Sequence, residues 1–110
     1  MALLTFSQEV FAHTEKHRYL FRSLSADRTG VAIQRLWHKM LLDLVREDVK
    51  STFPNEQPNS DTLVHFITGA LFGVLMWWFE GSTTISAREI NAIFRQLALP
   101  VLRTWKSNQT

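Results

Sequence analysis

The sequence contains no cysteine among its 110 residues, and it has only four glycines and three prolines. The lack of cysteine excludes disulfide scaffolds, thiol nucleophiles and thiolate metal sites. The scarcity of glycine and proline leaves too few turn formers for a sandwich or barrel of many short strands. An all-α chain is therefore expected.

A strong charge of one sign is also lacking. Twelve Lys and Arg face ten Asp and Glu, for a formal net charge of +2. This surplus is far from the dense basic stripe that DNA or an anionic membrane surface attracts. Hydrophobic residues make up 45% of the chain. That share excludes disorder and favours a single helical domain over residues 1–110.

The first residues lack the basic flank and long apolar core of a secretory signal. Only residues 63–79 resemble a membrane span, and they contain His65 and Thr68 and are followed at once by Glu80. A spanning helix normally needs about 20 apolar residues. We expect a cytoplasmic protein with no membrane contact.

Hydrophobic periodicity predicts a bundle of about five helices, two short and three long. A loop over residues 25–30 precedes the third helix, with Asp27 or Thr29 as its cap. Pro54 is expected to end the third helix. The cap of the fourth helix is expected at Ser60 or Asp61. The predicted helices cover residues 3–15, 19–25, 31–51, 63–80 and 86–99.

The fifth helix has the clearest start. Ser86 and Glu89 form an S-x-x-E capping box, and Ile85 and Ile90 have the spacing of a hydrophobic staple. Pro100 is expected to bend or end this helix near residue 99. Gly81 is expected to stop the helix before it.

The fourth helix is apolar nearly all round, which a lone small domain cannot easily cover. Gly69 and Gly73 are four residues apart, so they would let another helix backbone approach closely. At about 100° per residue, the apolar side chains fall on two faces. One face collects Leu63, Ile67, Ala70, Val74, Trp77 and Trp78, and the other His65, Phe72, Leu75, Met76 and Phe79.

No catalytic motif is found. The sequence has no phosphate-binding loop, nucleophile elbow, zinc helix or buried carboxylate pair, so we expect neither an enzyme nor a cofactor. His13 and His17 could share a helix face, but no third metal ligand is indicated, so a histidine pair without metal is favoured. For His65 a hydrogen-bonded core histidine is favoured over a ligand contact. Trp37, Met40, Phe72, Met76 and Trp77 could line a cavity or simply fill the core, and the filled core is favoured on these grounds alone.

The run from His65 to Gly81, with Trp77-Trp78 near its end, then Ile85-Ser-Ala-Arg-Glu89 and a final amphipathic helix, resembles the C-terminal part of TetR-type transcriptional regulators. The segment from Lys16 to Leu24 and the long helix after it are similar to the middle of that domain. The resemblance covers essentially the whole chain.

The resemblance implies an effector-sensing and dimerisation domain that follows an N-terminal helix-turn-helix domain. Nothing before Leu3 could form such a domain, so either DNA binding has been lost or the chain is a fragment, which we favour. DNA would then be contacted only through that missing domain. The alternative is a stand-alone helical module that binds another protein.

The resemblance also implies where a homodimer and an effector would bind. In the family, the last two long helices pair with those of the partner copy as a four-helix bundle, here residues 61–80 and 86–99. The expected interface residues are Gly73, Val74, Trp78, Ile90, Phe94 and Leu97. A pocket for a small apolar or aromatic effector is expected among Phe11, Phe21, Trp37, Met40, His65, Phe72 and Met76.

Overall fold

The computed structural model describes residues 4–25, 28–54, 59–81 and 84–108. These ranges contain five α-helices and no strand. The predicted all-α bundle, with two short helices followed by three long ones, is confirmed. The helices are α1 (Phe6–Lys16), α2 (Arg18–Ser25), α3 (Arg28–Thr52), α4 (Ser60–Glu80) and α5 (Ala87–Asn108).

Two predicted helix starts were wrong. Helix α3 begins at Arg28, so Thr29 lies inside it, while Asp27 lies outside the described residues. Helix α4 begins at Ser60 with Asn59 in the capping position, so Ser60 and Asp61 both lie in its first turn. In both cases the helix starts earlier than its apolar pattern does, because polar first-turn residues carry no hydrophobic period.

The last helix does not end near residue 99. Pro100 lies inside α5, which continues to Asn108. Proline removes one backbone donor and frees the carbonyl four residues earlier, that of Gln96. Both Pro100 and Gln96 are exposed, so water can satisfy the freed carbonyl. Buried Leu102 anchors the turn that follows.

Three aromatic side chains join α1, α4 and α5 at the centre of the core. The Phe11 ring lies 5.6 Å from the Trp78 ring in an edge-on arrangement and 6.2 Å from the Phe94 ring, measured between centroids. The guanidinium of Arg18 lies 4.6 Å from the centroid of Trp78. Such contacts add to the burial of aromatic area.

The end of α4 is fixed by hydrogen bonds. The Trp78 indole donates to the carbonyl of Ile85 at 2.8 Å. Arg22 donates to the carbonyls of Phe79 and Gly81 at 3.4 and 3.2 Å. The chain leaves the helix at Gly81, as predicted, with φ of −78°. This φ is accessible to any residue, so the stop does not depend on the left-handed conformation of glycine.

Helix α4 is long and apolar enough to cross a membrane by length and composition. Core helices of water-soluble proteins pass the same test. Helix α3 packs along it, and eight of its side chains are buried within this chain: Leu63, Val64, Ile67, Thr68, Leu71, Leu75, Trp78 and Phe79.

Candidate ligand cavity and exposed helix faces

A cavity of about 790 Å³ lies between α1 and α3, with one residue from α4. Small-molecule sites usually measure about 300–1,000 Å³ and are mostly apolar. The apolar lining residues are Phe6, Val10, Ala12, Leu36, Trp37, Met40, Leu41, Leu44 and Leu75. The volume and lining therefore suit a small apolar molecule.

Helix α3 forms the apolar wall of this cavity. Leu36, Met40 and Leu44 are spaced four residues apart, which places them on one face of the helix. All three are exposed, Leu36 by 65%, although their face is apolar. Trp37 lies on the adjacent face of α3, which packs against the core, and the centroids of the Trp37 and Phe79 rings are 5.6 Å apart. Helix α3 therefore packs against the core through one face and presents the adjacent apolar face to the cavity.

Among the described residues that line the cavity, the polar ones all belong to α1. These residues are Glu9, His13 and Thr14. The Thr14 hydroxyl donates to the carbonyl of Val10 at 2.8 Å. In the described part of the chain, no group lies within hydrogen-bond or ion-pair distance of the Glu9 carboxylate. The polar lining residues thus lie on the α1 side, together with apolar Phe6, Val10 and Ala12, opposite the apolar wall of α3.

Two of the predicted pocket residues, Trp37 and Met40, line this cavity. Phe11 does not, because it is fully buried in the aromatic core. Met76 is half-buried against the core. Phe72 is half-buried, and its ring lies 5.2 Å from the His38 ring. The side chain of Phe21 lies outside the described part of the chain.

His65 is neither a core histidine nor a cavity residue. It is exposed, and its Nε2 lies 3.5 Å from the Asp61 carboxylate one turn earlier. Asp61 also accepts a hydrogen bond from Arg46 of α3 at 2.8 Å. The Arg46 guanidinium holds the pKa of Asp61 below its ordinary value of 3.8. The prediction failed because the apolar pattern of α4 hid which side faces water.

Most of the apolar cavity wall was not predicted from the sequence, namely Phe6, Val10, Ala12, Leu36, Leu41, Leu44 and Leu75. A signal was present, since the α3 residues follow a helical period. That period identifies a face of one helix but not the helix opposite, so pairing with α1 was not predictable from it.

The exposed face of α4 is apolar and built around small residues. Phe66 and Trp77 are exposed by 59% and 60%. Gly69, Ala70 and Gly73 lie between them along the helix and are also exposed. A methyl group added at either glycine would meet no atom within 4 Å. In the described part of the chain, no packing contact therefore requires glycine at Gly69 or Gly73.

Helix α5 also carries a stripe of exposed, mostly apolar side chains. Ile93 and Leu97 are exposed by 43% and 67%, and Pro100 and Thr104 lie on the same face of the helix and are exposed too. Among residues 87–105 of α5, the other exposed positions are mostly polar, namely Arg88, Glu89, Ala92, Gln96 and Arg103. Both of the last two helices therefore present apolar surface that their own fold leaves uncovered.

The structure divides the predicted interface residues into two groups. Gly73 and Leu97 are exposed and Val74 is half-buried, so they stay predicted contacts. Trp78, Ile90 and Phe94 are instead buried in the core of the single chain. A partner copy would meet their neighbours, Trp77, Ile93 and Leu97, and not these three side chains.

The start of α1 is fastened to α3. Leu4 is fully buried with a φ of +59°, a left-handed conformation that is strained for leucine. Its backbone N–H donates to the Asp48 carboxylate at 3.0 Å. Burial raises the pKa of Asp48 above 3.8, while the bond from Leu4 and the charge of Arg95 act in the opposite direction.

Comparison with known proteins identifies the class. A family model described as "Transcriptional regulator C-terminal region" matches residues 2–99. The chain belongs to this family, the C-terminal regions of TetR-type transcriptional regulators, whose members are regulator domains and are not typically enzymatic. Effector binding and dimerisation are typical of it. No curated protein and no solved structure matched the chain.

Proposed function

We propose that this chain is the ligand-sensing and homodimerising region of a cytoplasmic transcriptional repressor. DNA is bound by a separate helix-turn-helix domain of the same regulator, outside these residues. The modest net charge supports this division, because phosphate contacts require clustered Lys and Arg. The effector occupies the cavity between α1 and α3.

The exposed apolar face of α4 is the observation that carries this proposal. Large exposed apolar patches mark interaction sites in soluble proteins. Gly69 and Gly73 remove side chains where a second helix backbone could approach, and Phe66 and Trp77 flank that strip. A second copy covers the face by presenting the same surface in return, which gives a symmetric pair. With the stripe of α5, the two copies form a four-helix bundle.

Contacts across the core connect the cavity with this surface. Helix α1 forms one wall of the cavity, and its Phe11 packs against Phe94 of α5 and Trp78 of α4. A ligand that displaces α1 therefore moves the helices that form the dimer. The dimer has a DNA-competent and a DNA-incompetent state. The ligand shifts the population towards the state that it binds more tightly.

Sedimentation equilibrium at micromolar concentration tests the dimer. The wild-type chain is expected at twice its monomer mass, and Gly73→Leu at the monomer mass. The variant should fold normally, because an added Cβ meets no atom within 4 Å and glycine disfavours a helix interior.

Ala32→Leu is the matched control, since Ala32 is an exposed small residue on α3, outside both stripes. This variant should stay dimeric. A monomeric wild type contradicts the proposal. A monomeric wild type that forms a stable complex with a different protein through this face favours the alternative, a helical interaction module.

A further inference from the structure

The polar side of the cavity indicates the chemical class of its ligand. We infer that the effector is a lipophilic cation, an aromatic or aliphatic body bearing an amine, whose charge is held by Glu9. This inference rests on the proposed ligand-sensing role and specifies the molecule that is sensed.

The charge of the lining favours a cation. Glu9 is acidic and exposed, and among the described residues neither Lys nor Arg lines the cavity. The Glu9 carboxylate has no hydrogen-bond or ion-pair partner in the described part of the chain. A ligand ammonium group could take that place without displacing an existing contact.

The arrangement of polar and apolar residues around the cavity favours an amphiphilic ligand. Glu9 and His13 lie one helical turn apart on α1 and line the same cavity, while all the lining residues from α3 are apolar. On the α1 side, a ligand that fills the cavity meets Glu9 and His13 next to apolar side chains, and on the α3 side it meets apolar side chains alone. An amphiphilic cation can contact both sides, whereas a fully apolar molecule leaves the exposed Glu9 carboxylate without a charged partner.

A bound ligand also strengthens the attraction between the carboxylate and a cation. An apolar body laid against Leu36 and Met40 excludes water from the cavity, and charge interactions strengthen as water is excluded. The Trp37 ring, which also lines the cavity, adds an aromatic surface that attracts cations. Both effects favour a cation over a neutral or anionic molecule of the same shape.

Three pyrene derivatives with one aromatic body test the inference: pyrenemethylamine, pyrenemethanol and pyrenecarboxylate. Their dissociation constants are measured by energy transfer from tryptophan to pyrene on the intact chain. The amine should bind more tightly than the carboxylate. Glu9→Gln should weaken the amine about fivefold, the scale of one partly exposed ion pair, and leave the alcohol unchanged.

Glu47→Gln is the matched control, because Glu47 is an exposed glutamate of α3 that does not line the cavity. It should change none of the three constants. Met40→Lys places a cation in the cavity wall, so it should weaken the amine and tighten the carboxylate. That result would locate the bound pyrene between α1 and α3.

The outcomes separate this inference from the proposed function. If all three probes bind with dependence on Met40 but Glu9→Gln changes them equally, the cavity binds ligands and the cation preference is refuted. If binding is insensitive to Met40→Lys, or if the amine does not bind, the inference is refuted as well. Sedimentation tests the dimer separately, so none of these binding results changes the outcome expected from it.

Discussion

The carboxylate of Glu15, in the last turns of α1, accepts a hydrogen bond at 2.7 Å from the backbone N–H of Ala87, the first residue of α5. Residues 72 positions apart in the chain are thereby joined at the start of the last helix. A negative charge at a helix N-terminus is also favoured by the helix dipole. The contact fixes α1, the polar side of the cavity, to one helix of the proposed dimer surface.

Glu15→Ala should therefore lower the free energy of unfolding by about 1 kcal/mol, the usual value of a cap. Glu15→Gln should lose less, because its amide oxygen still accepts the bond without the charge. Urea unfolding followed by circular dichroism measures both. Equal stability of wild type and Glu15→Ala would show that water replaces this carboxylate at no cost.

Ser86 caps the same helix from within its own segment. Its hydroxyl accepts the N–H of Glu89 at 3.1 Å and lies 3.1 Å from the Glu89 carboxylate. Ser86→Ala should cost roughly 1 kcal/mol in urea unfolding. Ser86→Asp, which retains an acceptor, should recover most of that loss. If Ser86→Ala and the wild type have the same urea unfolding curve, the cap is refuted.

The capping box shows what local sequence can predict, because all its partners lie within four residues. The start of α5 was predicted correctly for that reason. Glu15 was not predicted as a second partner of this helix start, since its contact depends on how α1 packs against α5. Most of the cavity wall was missed in the same way, because no single helix contains it.

The faces of α4 limited the prediction from sequence in a different way. Nearly all its residues are apolar, so the pattern could not separate the buried side from the exposed side. Trp77 and Trp78 illustrate this, as the first is exposed and the second fully buried. The general expectation of surplus apolar surface was sound, but three of the six residues assigned to the interface belong to the core.

Asp48 should make stability depend on pH. Its pKa is raised by burial, so the folded chain binds this proton more tightly than the unfolded chain. The contribution of Asp48 to the free energy of unfolding therefore grows as the pH falls from neutral towards its ordinary value of 3.8. Asp48→Asn removes the charge but keeps an oxygen for the Leu4 N–H. Relative to this variant, the wild type should gain stability on acidification, and a constant difference would refute the effect.

Asp61 should show the opposite sign. Its pKa is lowered by Arg46, so its contribution is present above the ordinary value of 3.8 and is lost as the pH falls below it. Asp61→Asn should therefore be less stable than wild type at neutral pH by a small amount, because the pair is exposed. The two should converge in acid, and a difference that persists there would mean that the contact is not electrostatic.

The solvent exposure of the Trp77 indole tests the central claim most directly, since a single chain leaves this side chain 60% exposed and the proposed dimer covers it. A soluble gadolinium chelate broadens the NMR signals of exposed indole N–H groups, and Trp77→Phe assigns the resonance. The account predicts that the Trp77 signal is protected like that of buried Trp78 at concentrations where the chain is dimeric. A Trp77 signal that broadens as a solvent-exposed indole in the dimer would contradict it.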